Sequence, residues 1–274
     1  VAPTNSAYLK RAGWLLLTLV RKGRETVDAV RDNSVDLQAA SLALGMFRRA
    51  YKERQDDPNI IRGIALAQWM GEKHDDAIDT LDQARTVEFH DRYGNVSRVF
   101  SEEADLIHFD AELRAGRGRI NNYHFRATMS WETDGNNLDM YVEQFNYNSY
   151  DEAVGGYRYK SGNLRFQGNV RNGLGPEVIT FDAGYVYDIF RVGVEAKWFG
   201  AYTKTRGVVV ATMFSERDSV SRIVPQIIPF DLQKGNRLQL VSEFSPHVRT
   251  DGYRESHDAI QTGNYPQHFE YASE

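Results

Sequence analysis

The stretch Ser130-Trp131-Glu132-Thr133-Asp134-Gly135-Asn136-Asn137-Leu138-Asp139-Met140-Tyr141-Val142 decides how the chain is read. Before it, Phe125, Ala127, Met129 and Trp131 alternate with His124, Arg126, Thr128 and Ser130. After it, Leu138, Met140 and Val142 alternate with Asp139, Tyr141 and Glu143. Period-two alternation on both sides of an Asp-Gly-Asn-Asn turn predicts two consecutive strands of a sheet. The turn also gathers Asp134, Asn136, Asn137 and Asp139, four oxygen-bearing side chains within six positions.

Outward toward the C-terminus the period stays at two. Further strands are expected near 157–159, 164–170, 178–181, 185–198, 207–214, 222–230 and 238–244. The clearest carries Phe190, Val192, Val194, Ala196 and Trp198 on one face and Arg191, Gly193, Glu195 and Lys197 on the other, as in an antiparallel sheet with one core face and one wet face. Eight or nine short strands separated by turn residues predict an all-β antiparallel sandwich of immunoglobulin-like size, with a closed barrel as the open alternative. Gly173-Leu174-Gly175-Pro176-Glu177 reads as a shaped turn, and a binding role for it stays open. From residue 247 to 274 the periodicity is lost but Tyr253, Tyr265, Phe269 and Tyr271 persist. Disordered tails are poor in aromatics, so an arm packed on the domain or on a neighbouring subunit is expected, against plain disorder.

Toward the N-terminus the pattern is helical over about 6–113. Ala43, Phe47 and Ala50 return as Ala77, Leu81 and Ala84, 34 positions later. Each triplet lies on one helix face, with a large residue between two small ones that admit a close neighbour. Asp56-Asp57-Pro58-Asn59 breaks one helix and opens the next, Gly71-Glu72 closes that one, and Asp75-Asp76 places acids at the positive end of its partner. Ser101 is expected to begin a last helix, and Arg114-Ala115-Gly116-Arg117-Gly118-Arg119 forms a basic hinge. The expected organisation is therefore α plus β in two domains: 1–118 helical, 119–246 β-sandwich, and 247–274 an arm or tail.

Composition narrows the function. The 38 acidic and 33 basic residues are spread along the chain, so no basic stripe points to nucleic acid. The absence of cysteine removes thiol nucleophiles, disulfides and thiolate metal sites. The apolar run 14–20, bracketed by Lys10-Arg11 and Arg21-Lys22, is too short to span a bilayer and lacks a cleavage site of signal-peptide type.

Two resemblances follow from these residues. The 34-residue spacing and the two triplets resemble the tetratricopeptide repeat family. Trp131 to Asp134, Asn137 to Val142, Gly162 to Leu164, Asn169 to Glu177 and Trp198-Phe199-Gly200, in that order, resemble a bacterial YfaP-like C-terminal domain of unknown function. That domain also follows tetratricopeptide-like helices in proteins with inter-alpha-trypsin-inhibitor-type and von Willebrand A-type domains. The resemblance implies a periplasmic, extracellular or cell-surface bacterial setting and alpha-2-macroglobulin-like company. Asn137 and Asn169 stand where that family commonly has Asp, which keeps an oxygen and removes a charge.

Calcium is the sharpest site hypothesis, with Asp134, Asn136 and Asp139 supplying part of an oxygen shell; the competing reading is that these side chains only build the turn. The histidines are scattered without ligand spacing, and no serine elbow or phosphate loop of the known kinds is present. No catalytic residue is expected. The function expected is a non-enzymatic protein–protein interaction or assembly module, self-association through the C-terminal arm included. A calcium-dependent binding or adhesive domain is the alternative, and a hydrolase comes third.

Overall fold

The structure, a computed structural model, describes residues 5–20, 34–91, 93–94, 96–118, 123–133, 135–146, 152–155, 164–167, 174–184, 188–200, 203–217, 220–234 and 238–244. The 247–274 arm, the strand expected at 157–159, Asp134, Asn169 and Gly173 lie outside them. The chain is α plus β: five helices precede two antiparallel sheets among the described residues.

The helices are α1 (Ser6–Leu17), α2 (Ser34–Glu53), α3 (Pro58–Met70), α4 (His74–Ala84) and α5 (Val96–Arg114). Asn5 caps α1 by accepting from the Ala7 N–H, and Asp57 caps α3 by accepting from the Asn59 N–H, with Pro58 in the first turn where no donor is needed. Both repeated triplets turn inward: Ala43, Phe47 and Ala50 on α2, and Ala77, Leu81 and Ala84 on α4, are buried. Phe47 shows why the small residues matter. A Cβ on Gly13 of α1 or on Gly63 of α3 would stand 2.6 or 2.4 Å from its ring, and Trp14 meets the ring edge-on at 5.1 Å between centroids. The helix backbones can therefore close on the phenyl ring only where a side chain is absent. Every residue of α3 is buried, so this helix is the centre of the helical layer.

Nine strands follow among the described residues. The first sheet has the order β4 (Leu164–Gln167), β5 (Glu177–Gly184), β1 (Tyr123–Trp131), β7 (Lys204–Arg217), β8 (Val220–Gln233). The second has the order β3 (Glu152–Gly155), β2 (Asn137–Asn146), β6 (Asp188–Trp198), β9 (Leu238–Phe244). The strands expected at 207–214 and 222–230 are longer than the alternation suggests and form one hairpin, paired from Lys204↔Gln233 to Arg217↔Val220 without a register shift.

Alternation along β7 assigns its two faces. Val209 and Ala211 join Phe125, Met129, Leu138, Met140, Val192 and Val194 in an apolar cluster drawn from both sheets. Val208 and Val210, with Ile223 and Ile227 of β8, join the helical cluster instead. The five-stranded sheet is thus covered on both faces. The even positions of β1, Arg126, Thr128 and Ser130, are buried on the face turned to the helices although their polarity reads as a wet face.

Candidate functional site

The acidic turn comes first because the sequence singles it out. Asn136 is fully buried. Its Oδ1 accepts the Gly200 N–H at 3.0 Å, and its Nδ2 donates to Thr133 Oγ1, which in turn bonds Thr205. This side chain therefore ties the β1–β2 turn to the end of β6, as an Asx residue does in a built turn. Asp139 is buried in β2 and stands opposite Glu195 of β6. Asp134 lies outside the described residues, so the three expected oxygen donors are not seen together. Among the described residues no group of three His, Asp or Glu side chains gathers as a metal centre.

The turn around Gly175 works inward. Gly175 has φ +79°, a conformation that favours glycine, and a Cβ there would meet Met129 O at 3.0 Å. Leu174 joins the helical cluster, Leu174 O accepts the Trp131 N–H, and Gly175 O accepts the Gly94 N–H at 2.9 Å. Glu177, wholly buried, reaches the Met140 N–H of the other sheet at 3.4 Å.

The residues that sequence reasoning missed are the charges between helices and sheet. Arg62 on α3 donates through Nε to both oxygens of Glu103 on α5, at 2.7 and 2.9 Å, and through Nη1 to Ser130 of β1 at 3.3 Å. Arg126 of β1 donates to Glu102 at 3.2 Å, to Glu103 at 3.4 Å and to Thr128 at 2.7 Å. Burial lowers the Arg62 guanidinium below its ordinary pKa, against the pull of Glu103. Asp110 on α5 is the second fastening. One oxygen accepts from Trp69 Nε1 (2.8 Å) and Arg114 Nε (2.8 Å) and meets His74 Nε2 at 3.0 Å; the other accepts the Ile223 N–H of β8 at 2.8 Å. Burial by itself would raise this carboxyl; the His74 hydrogen bond, the Arg114 charge, the Ile223 N–H and the Trp69 N–H outweigh it and hold the pKa below the usual carboxylate value. A lone Arg62 inside the otherwise apolar run of α3 is the one sequence signal that could have announced this network.

The outer surface differs. Tyr8, Leu15 and Leu19 on and just beyond α1 are 60, 46 and 51 % exposed, and Val35 and Leu42 on α2 are 48 and 50 % exposed. Spacings of seven and four on α1 and of seven on α2 align each set along one side of its helix. The helices run antiparallel, because Trp14 lies on Phe47 while Lys10 bonds Asp57 just past the end of α2. Leu15 and Leu19 therefore run along the half of α2 that carries Leu42 and Val35. Among the described residues two further large apolar side chains stand out, Val87 just past α4 at 41 % and Trp198 at the end of β6 at 54 %. Between α4 and α5 an open cleft of about 560 Å³ is lined by Asp82, Arg85, Thr86, Ser97, Arg98 and Ser101. Its two arginines are already paired, Arg85 with Asp82 and Arg98 with Glu102.

Fold and surface together define a helical layer locked by buried charges onto an antiparallel sheet, with uncovered apolar side chains on its first two helices. The chain matches no protein-family model, no curated protein and no solved structure.

Proposed function

We propose that the protein is a non-enzymatic interaction or assembly module whose helical layer receives another protein on the exposed sides of α1 and α2. The observation that carries this reading is the set Tyr8, Leu15, Leu19, Val35 and Leu42, large apolar side chains held in water on two adjacent helices of a rigidly fastened layer. Natural surfaces of this kind are rimmed by polar residues and mark protein contacts; here Arg48, Arg49 and Lys52 stand exposed further along α2. The helical hairpins are read as tetratricopeptide-like, the two sheets as a β-sandwich domain that keeps them in place. The motif resemblances support a setting at the bacterial envelope or exterior.

The test is affinity capture with the full chain as bait, in its wild-type form and as Leu15→Asp/Leu42→Asp. Both changes lie at exposed positions and leave the core intact. A partner retained by the wild type and lost from the charged variant, with unchanged circular dichroism, supports the reading. Retention of the same proteins by both forms removes α1 and α2 as the docking surface.

A further inference from the structure

We propose that the outer helices α2 and α4 form a surface on which two copies of this chain pair, α2 of each lying on α4 of the other. The inference goes beyond the docking reading above, because it rests on the charges of the outer helices and not on the apolar side chains beside α1.

Position provides the first argument. α2 packs on α1 and α3, and α4 packs on α3 and α5, whereas α1 and α5 touch β8 and Arg62 of α3 reaches Ser130 of β1. α2 and α4 therefore make the layer farthest from the sheets, with the wholly buried α3 beneath and between them. Around α2, Arg48 continues the line of Ala40 and Leu44, and a Cβ on Gly71 at the end of α3 would stand 3.6 Å from Ala40 Cβ. Arg48 thus stands on the side of α2 turned toward α3 and α4.

Charge provides the second. α2 carries exposed Arg48, Arg49 and Lys52 against one exposed acid, Glu53. α4 carries exposed Asp75, Asp76, Asp79 and Asp82 and no lysine or arginine. With α3 between them the two groups do not meet in one molecule; across two copies they do. A two-fold axis between opposed outer faces exchanges the two patches, so both contacts form at once and the pair is closed.

Gly45 provides the third. It stands exposed in the middle of α2, where glycine weakens a helix, and a Cβ there would meet nothing within 4 Å. Gly13 and Gly63 make room for Phe47, whereas Gly45 makes room for nothing among the described residues of its own chain. A second copy laid against α2 gives it the same purpose, close approach to a helix backbone.

The test is sedimentation equilibrium of the full chain at low salt over a range of concentrations. The wild type should reach twice the mass of one chain and return toward one in high salt. Arg48→Glu/Lys52→Glu turns the α2 patch acidic, and Asp75→Lys/Asp76→Lys/Asp79→Lys turns the α4 patch basic. Each protein alone should pair more weakly than the wild type by about tenfold or more. Their equimolar mixture should recover a dimer with one chain of each, and the chain carrying all five substitutions should pair with itself. Gly45→Gln should also shift the balance toward monomer, with unchanged circular dichroism. A wild type monomeric at every concentration overturns the proposal. So does a reversed variant or Gly45→Gln that pairs as tightly as the wild type, and so do reversed proteins that keep their circular dichroism yet stay monomeric when mixed.

Discussion

At the residue scale Asp110 does the work of several contacts. Its two oxygens hold α3, α4, α5 and β8 at one buried point. Asp110→Asn keeps the shape but turns an amide N–H toward Trp69, His74 and Arg114, and should cost about 3–5 kcal/mol in urea unfolding. Acid sensitivity follows from the depressed pKa. The carboxylate's contribution is fully present above the ordinary carboxylate value, near pH 4, and is lost as the pH falls through the lower folded value. The wild type should therefore lose stability more steeply below about pH 4 than Asp110→Asn, in parallel melts taken across the acid range; matching acid limbs would contradict the assignment. Gly63 makes a second case. Gly63→Ala drives a methyl to 2.4 Å from Phe47 and should destabilise by about 1–3 kcal/mol, with part recovered in the Phe47→Leu double variant. Asn136 makes a third. Asn136→Ala strips the Gly200 N–H of its acceptor and should cost about 1–2 kcal/mol whether or not calcium is present. Calcium alone should leave the melting temperature unchanged; a clear rise would favour the calcium-binding alternative.

At the scale of elements, punctuation was what the sequence expressed best. Pro58 and Gly71 stand at the helix ends expected of them, and the alternation before and after residue 134 marks β1 and β2. The last helix was less legible: α5 begins at Val96, five residues before the Ser101 start, and its first turns bury Val96, Val99 and Phe100. The β7–β8 hairpin was read short at its ends, 207–214 and 222–230 against Lys204–Arg217 and Val220–Gln233. The expected second strand already runs through Pro225 and Pro229, since on an edge strand a missing N–H is harmless when it faces away from the ladder. Ile223, at the same parity, sends its N–H to Asp110. The free edge of β8 is thereby blunted at three positions against pairing with another chain. Pro225→Val/Pro229→Val restores two of these donors and should produce concentration-dependent association in light scattering; a variant as monodisperse as the wild type would show that the prolines have no such role. The polar face of β1 was illegible in principle. Arg126, Thr128 and Ser130 are buried only because Arg62 and Glu103, remote in sequence, meet them there.

At the scale of the molecule, the helices and the five-stranded sheet share one apolar cluster and two buried polar fastenings. Replacing one member of such a network leaves its partners buried and uncompensated, so helices and sheet should melt in one transition. On the proposed reading that rigidity bears on the exposed side chains of α1 and α2, since a docking surface is effective when its geometry is set before the partner arrives. The candidate site was half legible. The triplets that pack α2 and α4 can be read from spacing, whereas exposure of Leu15, Leu19 and Leu42 depends on which neighbours the fold leaves out. The most direct test of the central claim is the dissociation constant of a captured partner for the wild type and for Leu15→Asp/Leu42→Asp, measured by calorimetry at fixed salt. The account predicts a weakening of about a hundredfold or more, typical of losing two anchors, at an unchanged melting temperature. Equal affinity for the two proteins would contradict it.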